Sequence, residues 1–208
     1  NKKIKIYKCD ILNKSRFVSL SRNINIIIHL AAVSDIVPSI EHPIEYLNTN
    51  IMGTVNILEA MRKNKIKKIV YAASSSCYGI AKNTPTNEKT KISPKYPYAF
   101  SKFIGEATIK HWSTVYGINY VSLRLFNVYG TRSRTHGAYG AVLGVFLKQK
   151  LKKRPLTIVG NGNQKRDFIN VKDVANAFYK SLNKKVNNVT LNIGFGKPKS
   201  VNFLSKLI

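Results

Sequence analysis

Cysteines, acidic residues and long apolar runs are all scarce in this sequence of 208 residues. The two cysteines, Cys9 and Cys77, lie far apart and show no metal-ligand spacing with the four histidines, so we expect neither a disulfide nor a metal site. The longest apolar stretch, at 26–33, is far shorter than the roughly 20 residues of a membrane-spanning helix. The first residues alternate lysine with isoleucine and lack the apolar block of a secretory signal, which favours a cytoplasmic protein.

Only nine acidic residues oppose 35 lysines and arginines, which gives a formal net charge of +26. Such a charge raises nucleic-acid binding as one hypothesis. The lysines, however, are scattered among isoleucine and asparagine and form no stripe with interleaved aromatic residues. The pattern therefore favours an ordinary solvated surface, and nucleic-acid binding stays an alternative that a steep salt dependence would reveal.

The composition indicates a folded protein. Apolar residues make up 44% of the chain and aromatic residues 10%, which excludes wholesale disorder and low-complexity architecture. The first residue is Asn1 rather than methionine, and residues 201–208 show the apolar spacing of a helix that has just begun. We therefore expect a fragment of a longer protein.

Apolar β-branched segments alternate with segments of helical periodicity along most of the chain. Strands are predicted at 4–7, 25–30, 68–73, 121–126, 156–159 and 189–193, and helices at 49–63, 98–115, 142–152 and 174–178. This alternation is typical of an α/β protein with a doubly wound parallel sheet, a Rossmann-like fold. Ligands of such sheets bind beyond the carboxyl ends of the strands, here at 30–32, 74–76 and 126–127.

Tyr98 and Lys102 lie four residues apart in the predicted helix 98–115, so their side chains share one face. A free phenol has a pKa near 10, and its use as a base near neutral pH requires stabilisation of about 4 kcal/mol. A lysine charge within about 4–6 Å can supply much of this. We therefore predict that Tyr98 is the acid–base group and that Lys102 lowers its pKa. A second pair, Tyr78 and Lys82, has the same spacing but falls in a predicted loop, and we interpret it as structural.

Three serines, at 74–76, directly follow the predicted strand 68–73. A hydroxyl at this edge can hydrogen-bond the substrate oxygen that Tyr98 deprotonates, so the serine cluster supports the interpretation of Tyr98 and Lys102 as reactive groups. The alternative interpretation is a polar transition from strand to loop. Serine-triad hydrolysis is disfavoured because no Gly-x-Ser-x-Gly elbow surrounds Ser74.

Six segments have the order and separation of motifs that occur together in one enzyme family. They are HLAA at 29–32, NTNIMGTVNILEA at 48–60, ASSSCYG at 73–79, YAFSK at 98–102, LRLFNVYG at 123–130 and RDFINVKDVA at 166–175. The chain thereby resembles the extended short-chain dehydrogenase/reductase family, and within it the NAD-dependent nucleotide-sugar epimerase/dehydratase group. The resemblance implies NAD as the cofactor.

The resemblance also implies a role for each matched position. The catalytic trio is Ser74, Tyr98 and Lys102, of which the last two also contact the cofactor. The implied further cofactor contacts are Asp10, Ile11, Leu30, Ala31, Ala32 and Asn50, and the implied substrate contacts are Ser75, Ser76, Asn127 and Arg166. Arginine suits a diphosphate because its planar guanidinium donates two parallel hydrogen bonds, although a surface charge near a turn is the alternative for Arg166.

The glycine-rich turn that holds the cofactor pyrophosphate in this family has no counterpart in the sequence. The chain begins at what resembles the third strand, so we expect an N-terminally truncated Rossmann domain that, as this fragment alone, binds NAD weakly and is inactive. The expected division is a partial NAD-binding domain at 1–129, part of a smaller substrate-binding lid at 130–168, a return to the Rossmann domain at 169–195 and the start of a substrate-domain segment at 196–208.

The residues after Ser74 bear on the reaction. Dehydratases of the family carry an acidic pair where this sequence has Ser75 and Ser76, and decarboxylases usually keep a glutamate at the position of Ser76. Serine is no strong general acid or base near neutral pH. We therefore expect an NAD-dependent 4-epimerase that interconverts UDP-sugars through a 4-keto intermediate, as a homodimer. A dehydratase or decarboxylase, and a noncatalytic nucleotide- or RNA-binding relative, remain as alternatives.

Overall fold

The computed structural model of the protein describes residues 4–80, 85–133, 135 and 142–208. The helices are α1 Lys14–Leu20, α2 Ile36–Glu41, α3 Pro43–Leu47, α4 Gly53–Lys63, α5 Pro97–Tyr116, α6 Val142–Leu151, α7 Val171–Ser181 and α8 Val201–Leu207. The strands are β1 Ile26–His29, β2 Lys68–Ser74, β3 Asn119–Leu125, β4 Asn127–Tyr129, β5 Lys165–Arg166, β6 Phe168–Asn170, β7 Val189–Ile193 and β8 Lys199–Ser200. A π-helical turn, Asn48–Met52, joins α3 to α4, and a 3-10 turn, Ser75–Tyr78, follows β2.

Four parallel strands form the central sheet in the order β1, β2, β3, β7. In the register of β2 with β3, Lys68 lies beside Asn119 and Ser74 beside Leu125, so the two strands begin and end together. Parallel neighbours need a crossover connection, and each of the three steps, from β1 to β2, from β2 to β3 and from β3 to β7, contains a helix. The α/β, Rossmann-like fold predicted from the sequence is confirmed.

Apolar layers cover both faces of this sheet. On one face Ile69 packs with Leu58 of α4 and Ile109 of α5. On the other face Val70 lies in a cluster with Phe178 of α7. Since successive residues of a strand point to opposite faces, the unbroken apolar run of β2 contributes to both layers.

The smaller part of the molecule contains two further strand pairs. Strand β4 runs parallel to β6, and β5 runs antiparallel to β8. Phe146 of α6, Leu204 of α8 and Leu156 share a separate apolar cluster. Elements from the expected lid and from the last segment of the chain therefore pack together, while the exact domain boundaries stay a prediction.

Two strands expected from the sequence are wrong, because residues 4–7 and 156–159 form neither strand nor helix. Ile4 and Ile6 are 68% and 89% exposed, and no strand of the described part of the chain pairs with them. An unpaired strand is not stable in water. At 156–159 the side chain of Gln149 takes the place of a partner strand, since its Oε1 accepts a hydrogen bond from the backbone N of Thr157 at 3.1 Å.

The predicted helix 49–63 is α-helical only from Gly53, because the π-helical turn precedes it. Lys82 and, in the expected lid, residues 134 and 136–141 fall outside the described residues.

Candidate active site

Three segments singled out in the sequence meet at the carboxyl edge of the central sheet. Residues 30–33 follow β1, Ser74 ends β2, and Asn127 comes shortly after β3. These strands are parallel neighbours, so their ends lie side by side. Helix α5 brings Tyr98 to the same place, where Ser74 is near enough to its phenol to lower the pKa of the phenol.

The hydroxyl of Ser74 is oriented by the turn that follows it. Ser74 Oγ accepts a hydrogen bond from the backbone N of Ser76 at 3.2 Å, and Ser76 Oγ lies 2.8 Å away. Ser74 is thus the N-cap of the turn Ser75–Tyr78. The turn ends at Gly79, whose φ of +64° is in the left-handed region and where a Cβ would collide with the carbonyl oxygen of Ser93, so glycine is required.

Tyr98 is the second residue of α5, after Pro97, and its ring meets Tyr46 edge-on at a centroid distance of 6.3 Å. Burial raises the pKa of Tyr98 above the ordinary value of 10.0. The hydrogen bond with Ser74 lowers this pKa in part, and the negative charge of Asp35 raises it again. The protein's own groups therefore favour the neutral phenol.

Lys102 lies one helical turn after Tyr98 and is 4% exposed, with Nζ 4.2 Å from the ring centroid of Tyr71. Burial lowers the pKa of Lys102 to about 7. Its charge is thus partly lost at neutral pH, and Ser74 is the group that lowers the pKa of Tyr98. Burial acts on the lysine itself, and the expected effect of Lys102 on the pKa of Tyr98 stays a prediction.

His29, at the end of β1, was missed as a site residue. Thr54 donates its hydroxyl hydrogen to the carbonyl oxygen of Asn50 at 2.6 Å, so it accepts from His29 Nε2 at 2.9 Å. The histidine proton is therefore on Nε2, and Nδ1 has no partner among the residues that the structure describes. Burial and, secondarily, the charge of Lys102 lower the pKa of His29 to about 3. A single histidine at the end of an apolar strand was the available signal.

Asn50, an expected cofactor contact, is 1% exposed in the π-helical turn. Its Nδ2 donates to the carbonyl oxygen of Val33 at 3.0 Å and to Ser101 Oγ at 2.9 Å, and its Oδ1 accepts from the backbone N of Val33 at 2.8 Å. Ser101 in turn donates to the carbonyl oxygen of Tyr98. Both N–H groups of Asn50 are thus used to join the loop after β1 to α5, and its role toward a cofactor stays a prediction.

The other expected cofactor residues have different surroundings. Ile11 is 9% exposed and packs in the core, where Gly53 leaves room for its side chain. Asp10 is exposed, and its Oδ1 accepts from the backbone N of Leu12 at 2.8 Å. At the end of β1, Leu30 is 61% exposed and Ala31 and Ala32 carry small side chains, so the backbone is open to a ligand there.

The expected substrate residues lie along the same edge and beyond it. Asn127 donates from both its backbone N and its Nδ2 to the carbonyl oxygen of Asp167, at 3.1 and 2.9 Å. Arg166 is the last residue of β5, directly before Asp167, and is exposed. Its Nη1 donates to the carbonyl oxygen of Lys165. Ser75 and Ser76 are half-buried in the turn after β2. The structure thus joins Asn127 to the segment that carries Arg166.

Two other classes of feature were searched for in the described residues. No three His, Cys, Asp or Glu side chains cluster there as metal ligands would. None of the helices described has the length and apolar character needed to span a membrane.

Comparisons with known proteins identify the family of the chain. The model of the NAD dependent epimerase/dehydratase family matches residues 1–194. The whole chain is 41% identical to a putative UDP-glucose 4-epimerase of Methanocaldococcus jannaschii and spans 68% of that protein. It is also 33% identical, over 95% of its length, to a UDP-N-acetyl-alpha-D-glucosaminuronate decarboxylase of Bacillus cytotoxicus, of which it spans 62%.

Solved structures show the same fold. The UDP-glucose 4-epimerase of Thermotoga maritima with UDP-glucose superposes with a TM-score of 0.94 at 30% identity, over 100% of this chain and 68% of that one. The UDP-glucose 4-epimerase of Thermus thermophilus in complex with NAD gives 0.90 at 28% identity, over 99% and 68%. With the family model matched over most of its length, the chain belongs to the NAD dependent epimerase/dehydratase family.

Proposed function

We propose that the protein is an NAD-dependent nucleotide-sugar 4-epimerase that interconverts UDP-sugars through a 4-keto intermediate. The observation that carries this is the meeting of Ser74 with Tyr98 at the sheet edge, one helical turn from buried Lys102. The UDP-glucose and NAD of the two solved epimerases support the choice of ligands. Since the chain spans about two thirds of its relatives, the activity proposed is that of the protein expressed from its complete gene.

The sheet edge fits NAD. The small side chains of Ala31 and Ala32 would let the backbone approach a pyrophosphate, and we propose that Lys102 binds the nicotinamide ribose. Asp10 and Ile11 are proposed at the adenine, Ile11 through its backbone because its side chain is in the core. Asn50 supports this edge by holding Val33. NAD, when bound, supplies the hydride acceptor and a positive charge beside the phenol.

The chain's own residues move the proton. Tyr98, as phenolate, takes the proton of the sugar 4-hydroxyl, while Ser74 hydrogen-bonds the same oxygen and shares the developing charge. Because burial raises the pKa of Tyr98, its ionised form is a strong base. After the 4-keto sugar has turned over in the pocket, Tyr98 would return this proton to the oxygen, and the hydride that bound NAD would hold would return to the opposite face of carbon 4. The product would be the 4-epimer, without net oxidation.

Four residues are proposed as substrate contacts, and two of them, Ser75 and Ser76, also bear on which reaction is catalysed. Ser75, Ser76, Asn127 and Arg166 are proposed to contact the sugar nucleotide, with Arg166 at its diphosphate. The Bacillus relative favours a decarboxylase as the second candidate. The serines at 75 and 76 favour the epimerase, because neither is a strong acid or base. A homodimer in the cytoplasm is part of the proposal.

A product assay with a panel of UDP-sugars tests this function. The expected product is a sugar inverted at carbon 4, with no net NADH. Accumulation of a 4-keto-6-deoxy sugar would instead show dehydration, and release of carbon dioxide from a UDP-uronic acid would show decarboxylation. The 208-residue chain alone serves as a second sample, and we expect it to bind NAD weakly and to be inactive, because it lacks the glycine-rich turn.

A further inference from the structure

A buried ion pair joins α5 to β3. Glu106 and Arg124 are 1% and 3% exposed, and Arg124 binds both carboxylate oxygens, Nη2 to Oε1 at 2.6 Å and Nε to Oε2 at 2.9 Å. Lys110 donates to Oε1 at 2.7 Å, and Ser122 donates to Oε2 at 3.0 Å. These donors hold the Glu106 carboxylate in one orientation.

The same arginine is bonded to the turn that Ser74 begins. Arg124 Nη1 donates to the hydroxyl of Tyr78 at 2.8 Å, and Tyr78 donates to Oδ1 of Asn192 at 2.7 Å. Tyr78 is 3% exposed, and the guanidinium carbon lies 5.0 Å from its ring centroid. Because Tyr78 is the last residue of the turn Ser75–Tyr78, Arg124 holds the segment that orients the Ser74 hydroxyl.

Glu106 also shares a face of α5 with the reactive groups. Tyr98, Lys102 and Glu106 follow at intervals of four residues, so Glu106 lies about 12 Å along the helix from Tyr98. Fixing Glu106 against β3 limits rotation of the helix about its axis, and thereby the direction of Tyr98. The ion pair and Tyr78 therefore connect the two segments whose relative position sets the contact of Ser74 with Tyr98.

Stability alone does not account for a buried charge network. The desolvation of two ions offsets much of their attraction, and apolar side chains of similar volume often stabilise a fold as well or better. Two parallel hydrogen bonds between planar groups instead add orientation. Catalysis depends steeply on orientation, since a misplacement of about 1 Å can lower a rate about 100-fold.

On the basis of the proposed function, we propose that Glu106, Arg124 and Tyr78 form a positioning network that holds the turn of Ser74 against the helix of Tyr98. They act through Ser74 and Tyr98 and are not themselves catalytic residues.

Tyr78→Phe tests the network with the smallest change, because it removes one hydroxyl and keeps the ring beside Arg124. In the protein expressed from its complete gene we expect kcat to fall about tenfold and KM for the UDP-sugar to stay within about twofold. The apparent pKa of the acidic limb in the pH profile of kcat/KM is expected to rise by about half a pH unit. A crystal structure of the variant is expected to show a longer distance between Ser74 Oγ and the Tyr98 hydroxyl.

Lys68→Met is the matched control. Lys68 is 5% exposed at the opposite end of β2, and its Nζ donates to the carbonyl oxygens of Asn183 and Val186 at 2.8 and 2.7 Å. This variant removes buried hydrogen bonds from the same strand, so we expect a lower Tm with kcat unchanged. The positioning proposal is overturned if kcat of Tyr78→Phe stays within twofold of the parent or falls no more than in the control.

The two proposals fail in distinguishable ways. If the unmutated protein converts no UDP-sugar, the proposed function is wrong. The positioning network is then tested by crystal structures of the parent and of the Tyr78→Phe variant. An unchanged distance between Ser74 and Tyr98 in the Tyr78→Phe variant would then overturn it.

Discussion

Lys102 holds its ammonium nitrogen 4.2 Å from the ring centroid of Tyr71, and the Tyr71 hydroxyl donates to the carbonyl oxygen of Lys102 at 3.3 Å. The same tyrosine therefore contacts both the side chain and the backbone of the lysine. The aromatic ring favours the charged amine, whereas burial disfavours it. Burial prevails, since it lowers the pKa of Lys102 to about 7.

This relationship predicts a pH dependence of stability. Lys102 has a pKa of about 7 in the folded chain and 10.5 as its ordinary value, so between these values the unfolded chain binds the extra proton. Stability therefore rises with pH across this window, by about 1.4 kcal/mol for each unit of pKa difference. Lys102→Met is expected to remove this rise when urea unfolding is measured at about pH 7 and about pH 9.5. The same pH dependence in variant and parent would contradict the assignment.

The lowered pKa of His29 predicts a second pH dependence of the free energy of unfolding, at acidic pH. Its pKa of about 3, against an ordinary 6.5, means that the unfolded chain binds the extra proton between these values. The free energy of unfolding therefore falls as the pH falls from 6.5 toward 3. His29→Gln is expected to flatten this decrease in urea unfolding, whereas the control His111→Gln, at an exposed position, is expected to leave it unchanged.

Removal of the phenol tests the catalytic assignment. Tyr98→Phe, made in the protein expressed from its complete gene, is expected to lower kcat/KM for the UDP-sugar by at least about 100-fold, the usual scale of acid–base catalysis. Tyr96→Phe is the matched control, because Tyr96 is 43% exposed and lies two residues away. Near-normal turnover by Tyr98→Phe in steady-state assays would show that another group moves the proton.

Ser76 predicts a smaller effect on the pH profile. Ser74 Oγ already accepts from the backbone N of Ser76, so its one hydrogen can go either to Ser76 Oγ or to Tyr98. When Ser76 donates to Ser74, Ser74 donates to the phenolate and stabilises it. Ser76→Ala is therefore expected to raise the apparent pKa of the acidic limb of kcat/KM by up to about one pH unit. Ser76→Thr is expected to restore the parent value. Ser75→Ala is the control, and an equal shift in that variant would refute the role of Ser76.

Asn50 predicts a stability effect. Asn50→Ala leaves the backbone N and carbonyl oxygen of Val33 without their side-chain partner, which we expect to cost about 2–3 kcal/mol in urea unfolding. Asn56→Ala is the control, since among the described residues Asn56 donates to the backbone carbonyl oxygens of Ile11 and Leu12 and not to α5. If Asn50→Ala lowers the free energy of unfolding no more than the control does, the hydrogen bonds of Asn50 that connect Val33 to α5 contribute little to stability.

The order of strands and helices around the site could be predicted because local patterns specify it. Helix α5 begins with Pro97 and ends before Gly117, whose φ is +65°, and β2 contains an unbroken apolar run at 69–73. The two wrong strands have local strand patterns as well, but a strand needs a hydrogen-bonded neighbour, and no neighbour is encoded in the segment itself. The π-helical turn around Asn50 has no local signal that we recognised.

The amino-acid sequence by itself determined the parallel α/β architecture, the placement of Ser74 at a strand end and the spacing of Tyr98 from Lys102, since residue type and periodicity along the chain express all three. Only the tertiary structure decided the protonation states of the residues at the site and the contacts that hold the surrounding segments together. Burial sets the charge of Lys102 and of His29, and Glu106 meets Arg124 from a different element. Burial and long-range pairing are properties of the folded chain, because they arise only when distant segments come together.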